Sequence, residues 1–203
     1  MQPEQMRAEQ LAAIRGERLV FTGLSFDVPA GGALLLVGPN GSGKSTLLRL
    51  LAGLKRADAG RVLWGGVDVT QDPGAHVRRI TYVGHQNAVK PGLTVAENLS
   101  GTRTAGLGAN QVQPALAAMG LEALTDMPAL MLSAGQLRRL ALARLAVRPS
   151  PLWLLDEPSL GLDTASVARF GAMAAAHRAQ GGIVVAATHL PLPLPGALEL
   201  SLA

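Results

Sequence analysis

The run Gly38-Pro39-Asn40-Gly41-Ser42-Gly43-Lys44-Ser45-Thr46 fills every fixed position of the pattern G-x-x-x-x-G-K-[ST]. Glycines at 38, 41 and 43 let the backbone bend around an anion, so that successive N–H groups point inward at phosphate oxygens. Lys44 adds positive charge for the β- and γ-phosphates, and the Ser45 hydroxyl is a ligand for Mg²⁺. Far along the chain, Asp156 and Glu157 stand side by side after the apolar run Leu152-Trp153-Leu154-Leu155. Paired acids there are costly unless a cation or a water uses them, which beside a phosphate loop means Mg²⁺ and an attacking water. These residue types point to a nucleoside triphosphate as ligand.

The elements that must hold these groups follow from local pattern. Leu34-Leu35-Leu36-Val37 predicts a buried strand entering the loop. Leu47 to Ala52 predicts a helix leaving it, whose N-terminus brings unpaired N–H groups and the positive end of a dipole. Arg18 to Val28 reads as a strand pair or a strand and turn, and Arg61 to Gly66 as a short strand. Ile80 to Gln86 reads as a strand ending in polar groups, with Gln86 at the carboxyl edge where ligands of open α/β sheets bind; on position alone it is equally an ordinary loop glutamine. From Thr94 to about Gly135, Ala, Leu and Gly at helical spacing predict a small helical insertion. Ser133 reads as the N-cap of the helix that follows, and the small residues Ala134 and Gly135 leave backbone open to a second anion; read alone, the stretch is also a common capping sequence. Pro149 and Pro151 should stop that helix, and Gly161-Leu162-Asp163 should turn the chain into another over roughly Thr164 to Gln180. Gly181-Gly182 ends it, and Ile183 to Thr188 is a buried strand finishing at His189, on the same edge as Lys44, Gln86 and Glu157. A last short strand is expected near Leu198 to Leu202.

Bulk properties narrow the classes. The 203 residues suffice for one domain with a full core, and hydrophobic residues at 48% against 16% charged argue against disorder. No run of about 18 apolar residues free of Pro and charge occurs, so no membrane-spanning helix is expected, and Met1 to Gln10 lack the apolar run of a secretory signal. With no cysteine, disulfide and thiolate chemistry are excluded. The net charge of +4 is spread over scattered arginines and aromatic residues make up only 3%, which disfavours nucleic-acid binding; the charge reads as solvation plus mild attraction to an anionic membrane face.

The phosphate loop, Gln86, Leu132-Ser133-Ala134-Gly135-Gln136, Asp156-Glu157, Asp163 and His189, in that order, make the chain resemble an ABC transporter ATPase subunit along nearly its whole length. Gly84-His85-Gln86, Lys90 to Leu99, Leu132 to Gln136, Pro151 to Pro158 and Gly181 to His189 are similar to the branch that serves haem export in cytochrome c maturation. The resemblance implies an α/β fold: a P-loop NTPase core with a mainly parallel sheet, an N-terminal antiparallel β part and an inserted helical subdomain. Residues 1–203 would form one domain, with 1–86 and 150–203 as core and 87–149 as the helical part.

It also implies roles. ATP and Mg²⁺ are the expected cofactors, bound by Gly38, Pro39, Asn40, Gly41, Ser42, Gly43, Lys44, Ser45 and Thr46, with Ser45 and Gln86 as metal ligands and Asp156 holding the metal's water shell. Lys44 would neutralise phosphate charge, Glu157 polarise the attacking water and His189 contact the γ-phosphate. Ser133, Ala134 and Gly135 would close on the ATP of a second copy, with Asp163 crossing the same interface. Integral membrane subunits are the other expected partners, with the chain peripheral on the cytoplasmic side of the bacterial inner membrane. Direct haem binding is not expected, since His76, His85, His177 and His189 form no axial-ligand pattern.

Two departures from the family pattern stand out. Ala134 replaces a glycine and would be strained by about 1–2 kcal/mol if the backbone there were left-handed. Arg15 falls where relatives place an aromatic residue against the base, and its planar guanidinium can stack on a ring. The alternatives are an ATPase for another small exported substrate, or a soluble ABC ATPase acting on ribosomes or chromosomes. The latter kind carries two ATPase halves or a long coiled coil, and this chain has neither. A small-molecule kinase would need an acceptor pocket and lid in place of Leu132 to Gln136.

Overall fold

The computed structural model describes residues 5–100, 109–148 and 150–202, which among them form a four-stranded and a five-stranded sheet. The first sheet is antiparallel, in the order β2-β1-β4-β5. Its strands are β1 (Met6–Arg15), β2 (Arg18–Val28), β4 (Ala59–Trp64) and β5 (Val67–Asp68). Arg18 to Val28 is thus one strand, and its partner is Met6–Arg15 across a tight turn that pairs Arg15 with Arg18. The second sheet is parallel, in the order β6-β7-β8-β3-β9. It contains β3 (Ala33–Val37), β6 (Ile80–Val83), β7 (Leu152–Asp156), β8 (Ile183–Ala187) and β9 (Leu198–Ser201).

Strands β7 and β8 are buried along their whole length, as a parallel strand covered on both faces must be, and this accounts for their unbroken apolar sequence. The period of two still sorts their side chains. Leu152, Leu154, Ile183 and Val185 pack on one face with Leu47, Leu48 and Leu51 of α1 (Lys44–Leu51) and with Met6 and Leu11 of β1. Trp153, Leu155, Val184 and Ala186 face the other way, against α4 (Ala109–Ala118), α5 (Ala134–Val147) and α6 (Thr164–Ala179). One face therefore carries the phosphate-loop helix and the antiparallel sheet, and the other carries the helices.

Between β6 and β7 lie α3 (Val95–Ser100), α4, two short 3₁₀ turns and α5, the expected helical insertion. Its entrance is fixed by Asn98, which is buried and bonds the backbone of Lys90 in both directions as well as Leu93 O and Thr94 O. Thr94 and Glu97 cap α3 reciprocally. A short helix, α2 (Pro73–Arg78), precedes β6 and had no strong pattern in the sequence. At the exit α5 ends at Val147; Pro149, expected to help stop it, lies outside the described residues. Because β3, β6, β7 and β8 run parallel in register, their following loops emerge at one edge, beginning at Gly38, Gly84, Glu157 and Thr188.

Candidate active site

Along that edge runs a cleft of about 780 Å³, lined by Pro39 to Thr46 and by Asp156, Glu157 and His189. The loop is shaped by its glycines. Gly43 has φ +100 and is the N-cap of α1, and a Cβ on it would meet Val20 and Phe21 of β2, so only glycine serves there. No side chain caps α1, and its first turn holds no acid, which leaves its terminal N–H groups for an anion. The Lys44 ammonium is buried and donates to Gly38 O at 2.6 Å and Pro39 O at 3.0 Å, which holds it across the loop. Ser42 Oγ, within the loop, is buried with no hydrogen-bond partner, and a Cβ on Gly38 would crowd it.

Opposite the loop, Asp156 ends β7 and is only 4% exposed. Glu157 follows with φ +51, left-handed backbone that a side chain of this size rarely adopts. Its N–H donates to Ala187 O at 2.8 Å, which ties it to the end of β8. Its Oε2 lies 2.9 Å from His189 Nδ1 and also accepts from the His189 N–H at 3.4 Å. The imidazole is half-exposed toward the cleft while the carboxylate is nearly enclosed, so the acid is desolvated and oriented by its neighbour. Beside them, burial pushes the Tyr82 hydroxyl up, Asp156 adds to the push, and Arg49 opposes it.

Lys44, Ser45, Asp156, Glu157 and His189 thus share one cleft. Gln86 does not join them: it is exposed and outside the lining set, and its neighbour His85 lines the cleft instead. Ser133 and Ala134 are also exposed and outside this cleft. Ser133 caps α5 in a reciprocal pair with Gln136, and Asp163 caps α6 by accepting from Ser166 N; the Ser166 side chain, and then this backbone bond, hold its carboxyl below the usual range. Ala134 opens α5 with helical backbone, so the left-handed strain considered for it does not arise. Gly135 sits against Gly161 O, which places the two caps side by side. Arg15 lines the cleft together with Arg18, Leu19 and Val20, and the described lining residues include no Phe, Tyr or Trp. Sequence reasoning missed Arg138 entirely as a functional residue, although it touches two of the loops at this edge, those after β6 and β7.

A phosphate loop facing an acid–histidine pair at the carboxyl edge of a parallel sheet, with a helical insertion between β6 and β7, defines an ABC-type ATPase. The sequence profile of the ABC transporter family matches residues 21–160, and the chain belongs to that family. The chain is 53% identical over 201 residues to the cytochrome c biogenesis ATP-binding export protein CcmA of Rhodospirillum rubrum, covering 98% of this chain and 86% of that one. It is 52% identical over 200 residues to the protein of the same name from Paramagnetospirillum magneticum, covering 96% and 92%. Among solved structures, a bacterial Atm1-family ABC exporter with ATP bound superposes with a TM-score of 0.87 at 25% identity, over all of this chain and 37% of that one. A putative ABC transporter ATP-binding protein from Pyrococcus furiosus gives 0.83 at 21% identity over 98% and 97%, a likeness of fold.

Proposed function

We propose that this ATPase drives haem export, or a step in handing haem over, for the biogenesis of c-type cytochromes. The observation that carries the reading is the match to proteins named for cytochrome c biogenesis export at 53% and 52% identity across nearly the whole chain. ATP binds with its phosphates in the Gly38–Thr46 loop, where Lys44 neutralises charge. Arg15 and Arg18 offer guanidinium planes to the base in place of an aromatic ring. Glu157 polarises the attacking water, and His189, held to it at 2.9 Å, keeps the pair in register with the terminal phosphoryl group.

The donors near the loop are hard oxygens, the Ser45 hydroxyl and the Asp156 carboxylate, and they fit Mg²⁺ completed by phosphate oxygens and water; Gln86 would join only after its loop moves inward. Among the described residues no cluster of three or more His, Cys, Asp or Glu could hold a metal unaided, in keeping with a cation that arrives with its nucleotide. When bound, Mg²⁺ supplies charge neutralisation at the phosphates.

Ser133, Ala134 and Gly135 lie outside the lining of the chain's own cleft, which supports a second copy as the owner of the nucleotide they meet. Membrane-embedded subunits carry the substrate, a reading supported by the likeness to export proteins; no helix among the described residues is itself long and apolar enough to cross a bilayer. The working place is the cytoplasmic face of the inner membrane. Lys44→Ala should abolish nucleotide binding or turnover, and Glu157→Gln should bind ATP, hydrolyse it slowly and elute as an ATP-dependent dimer on size exclusion. A Glu157→Gln protein that stays monomeric at saturating ATP sinks the two-copy reading. Deletion of the gene should remove c-type cytochromes from haem-stained gels, and intact cytochromes would overturn the haem assignment.

A further inference from the structure

Arg138 lies in the second turn of α5 and is 4% exposed. No carboxylate oxygen lies within ion-pair distance of it among the described residues, yet all five of its N–H groups are used. Nη2 donates to Asp156 O at 2.6 Å and Glu157 O at 2.9 Å, and Nε to Pro158 O at 3.3 Å. Nη1 donates to Gly84 O at 2.9 Å and to Asn87 Oδ1 at 3.1 Å. A single planar fork therefore joins α5 to the loop that carries the paired acids and to the loop after β6. Two turns on, Arg144 seizes the same β6 loop through Asn87 O at 2.6 Å and Ala88 O at 2.7 Å.

The acceptors explain the fork. With φ +51 at Glu157, the carbonyls of residues 156 and 157 both come within reach of one nitrogen, Nη2, whose two N–H groups donate to them. Removing the guanidinium would take a donor from the Asp156 carbonyl, leave that of Glu157 with the Leu160 N–H alone, and take away what offsets the strained backbone. The loop would then relax toward ordinary φ, and the Glu157 carboxylate would leave His189.

We propose that Arg138 is a positioning residue that sets Glu157 for hydrolysis and makes that setting depend on the seat of α5. This rests on the two-copy reading, because the N-terminus of α5, Ser133 to Gly135, is where the second copy's nucleotide would press. Nucleotide bound by one copy thereby orders the acid of the other through a rigid helix and one side chain.

The test compares Arg138→Gln, Arg138→Lys and Arg139→Gln in ATPase assays on the chain copurified with its membrane subunits. Arg139 stands next along α5 but donates to Met119 O and Gly120 O at the end of α4, so it reports on merely structural loss. Arg138→Gln and Arg138→Lys should lower kcat on the order of 10²-fold with KM for ATP within about threefold, because misplacement by an ångström has that effect. Lysine should not rescue, since a point charge with three donors cannot span five acceptors. Arg139→Gln should lower Tm and leave kcat within about threefold. A kcat within about threefold of wild type in Arg138→Lys overturns the proposal, and that variant decides if Arg138→Gln does not melt cooperatively. Combining Arg138→Lys with Glu157→Gln separates the two readings. An ATP-dependent dimer with lost turnover in the single variant supports positioning, whereas a Glu157→Gln protein that never dimerises refutes the link between copies and leaves kcat to judge Arg138 alone.

Discussion

Glu157 holds a conformation that its own chemistry resists. At φ +51 a Cβ-bearing residue is strained by roughly 1–2 kcal/mol, and its carboxylate is nearly closed off from water as well. Stability is given up there for placement, since the same turn aims Oε2 at His189 and presents two carbonyls to Arg138. Glu157→Gly should therefore abolish turnover while raising Tm by about 2–4 °C, measured by calorimetry; an unchanged or lower Tm would show that the backbone is not strained. How much of this residue-level chemistry was legible depends on what kind of partner each residue uses. The phosphate loop could be read in full because backbone conformation and ligand contact are both encoded in adjacent residue types. Glu157 and His189 were legible from their place after apolar strands. Gln86 was expected inside on the family resemblance; its place past β6 gives distance along the chain, and not the direction of the turn that brings in His85 instead. Arg138 read only as one of several basic residues because its partners are mostly backbone carbonyls, which carry no residue identity.

At the level of elements, the connections carry more information than their composition suggests. Gly181-Gly182 reads as a plain helix stop, and α6 does end there. Yet the two glycines differ in purpose. Gly181, at φ +87, has nothing within 4 Å of where a Cβ would stand, whereas a Cβ on Gly182 would fall on the His177 ring. That ring stacks on Trp153 of β7 with centroids 3.9 Å apart and planes 5° from parallel, so Gly182 lets α6 lie close enough to reach the sheet. Gly182→Ala should displace His177, change Trp153 fluorescence and destabilise by about 1–3 kcal/mol. Gly181→Ala should strain the turn and leave the Trp153 signal as it was. Equal fluorescence changes in both variants would refute this division of labour. Strand β1 escaped notice for a comparable reason: its buried residues are Met6, Ala8, Leu11 and Ala13, and the register shift at Gln10, itself at φ +49, breaks the alternation by which a strand is recognised. The parallel strands, short and wholly apolar, left no such ambiguity.

Over the whole molecule, the positive charge has a more structural use than solvation. Arg138, Arg139, Arg144, Arg148, Arg169 and Arg178 all donate to backbone carbonyls, closing helix ends and loops where an acid would otherwise be needed. Two histidines perform similar fastening without charge. His76 is buried, with Nε2 2.8 Å from Leu51 O at the end of α1, and His177 joins α6 to β7 and β8 through its stack and Ile183 O. Burial pushes both below the ordinary 6.5; the bonds to Leu51 and Ile183 oppose it, and Arg79 adds to the depression at His76. The unfolded chain thus takes up protons near 6.5 that the folded chain refuses until lower pH, so their contribution is fully present above that value and is lost as pH falls below it. Asp68 and Asp163, held low by bonds from Thr70 and Ser166, act in a separate window below the ordinary 3.8. Thermal melts between about pH 5 and pH 8 should show Tm falling on the acid side, and His177→Phe, which keeps a ring against Trp153, combined with His76→Gln, should flatten that fall. A slope between about pH 5 and 6.5 that survives in the double variant would assign the loss to other groups and refute the histidines' role in fastening the two helices.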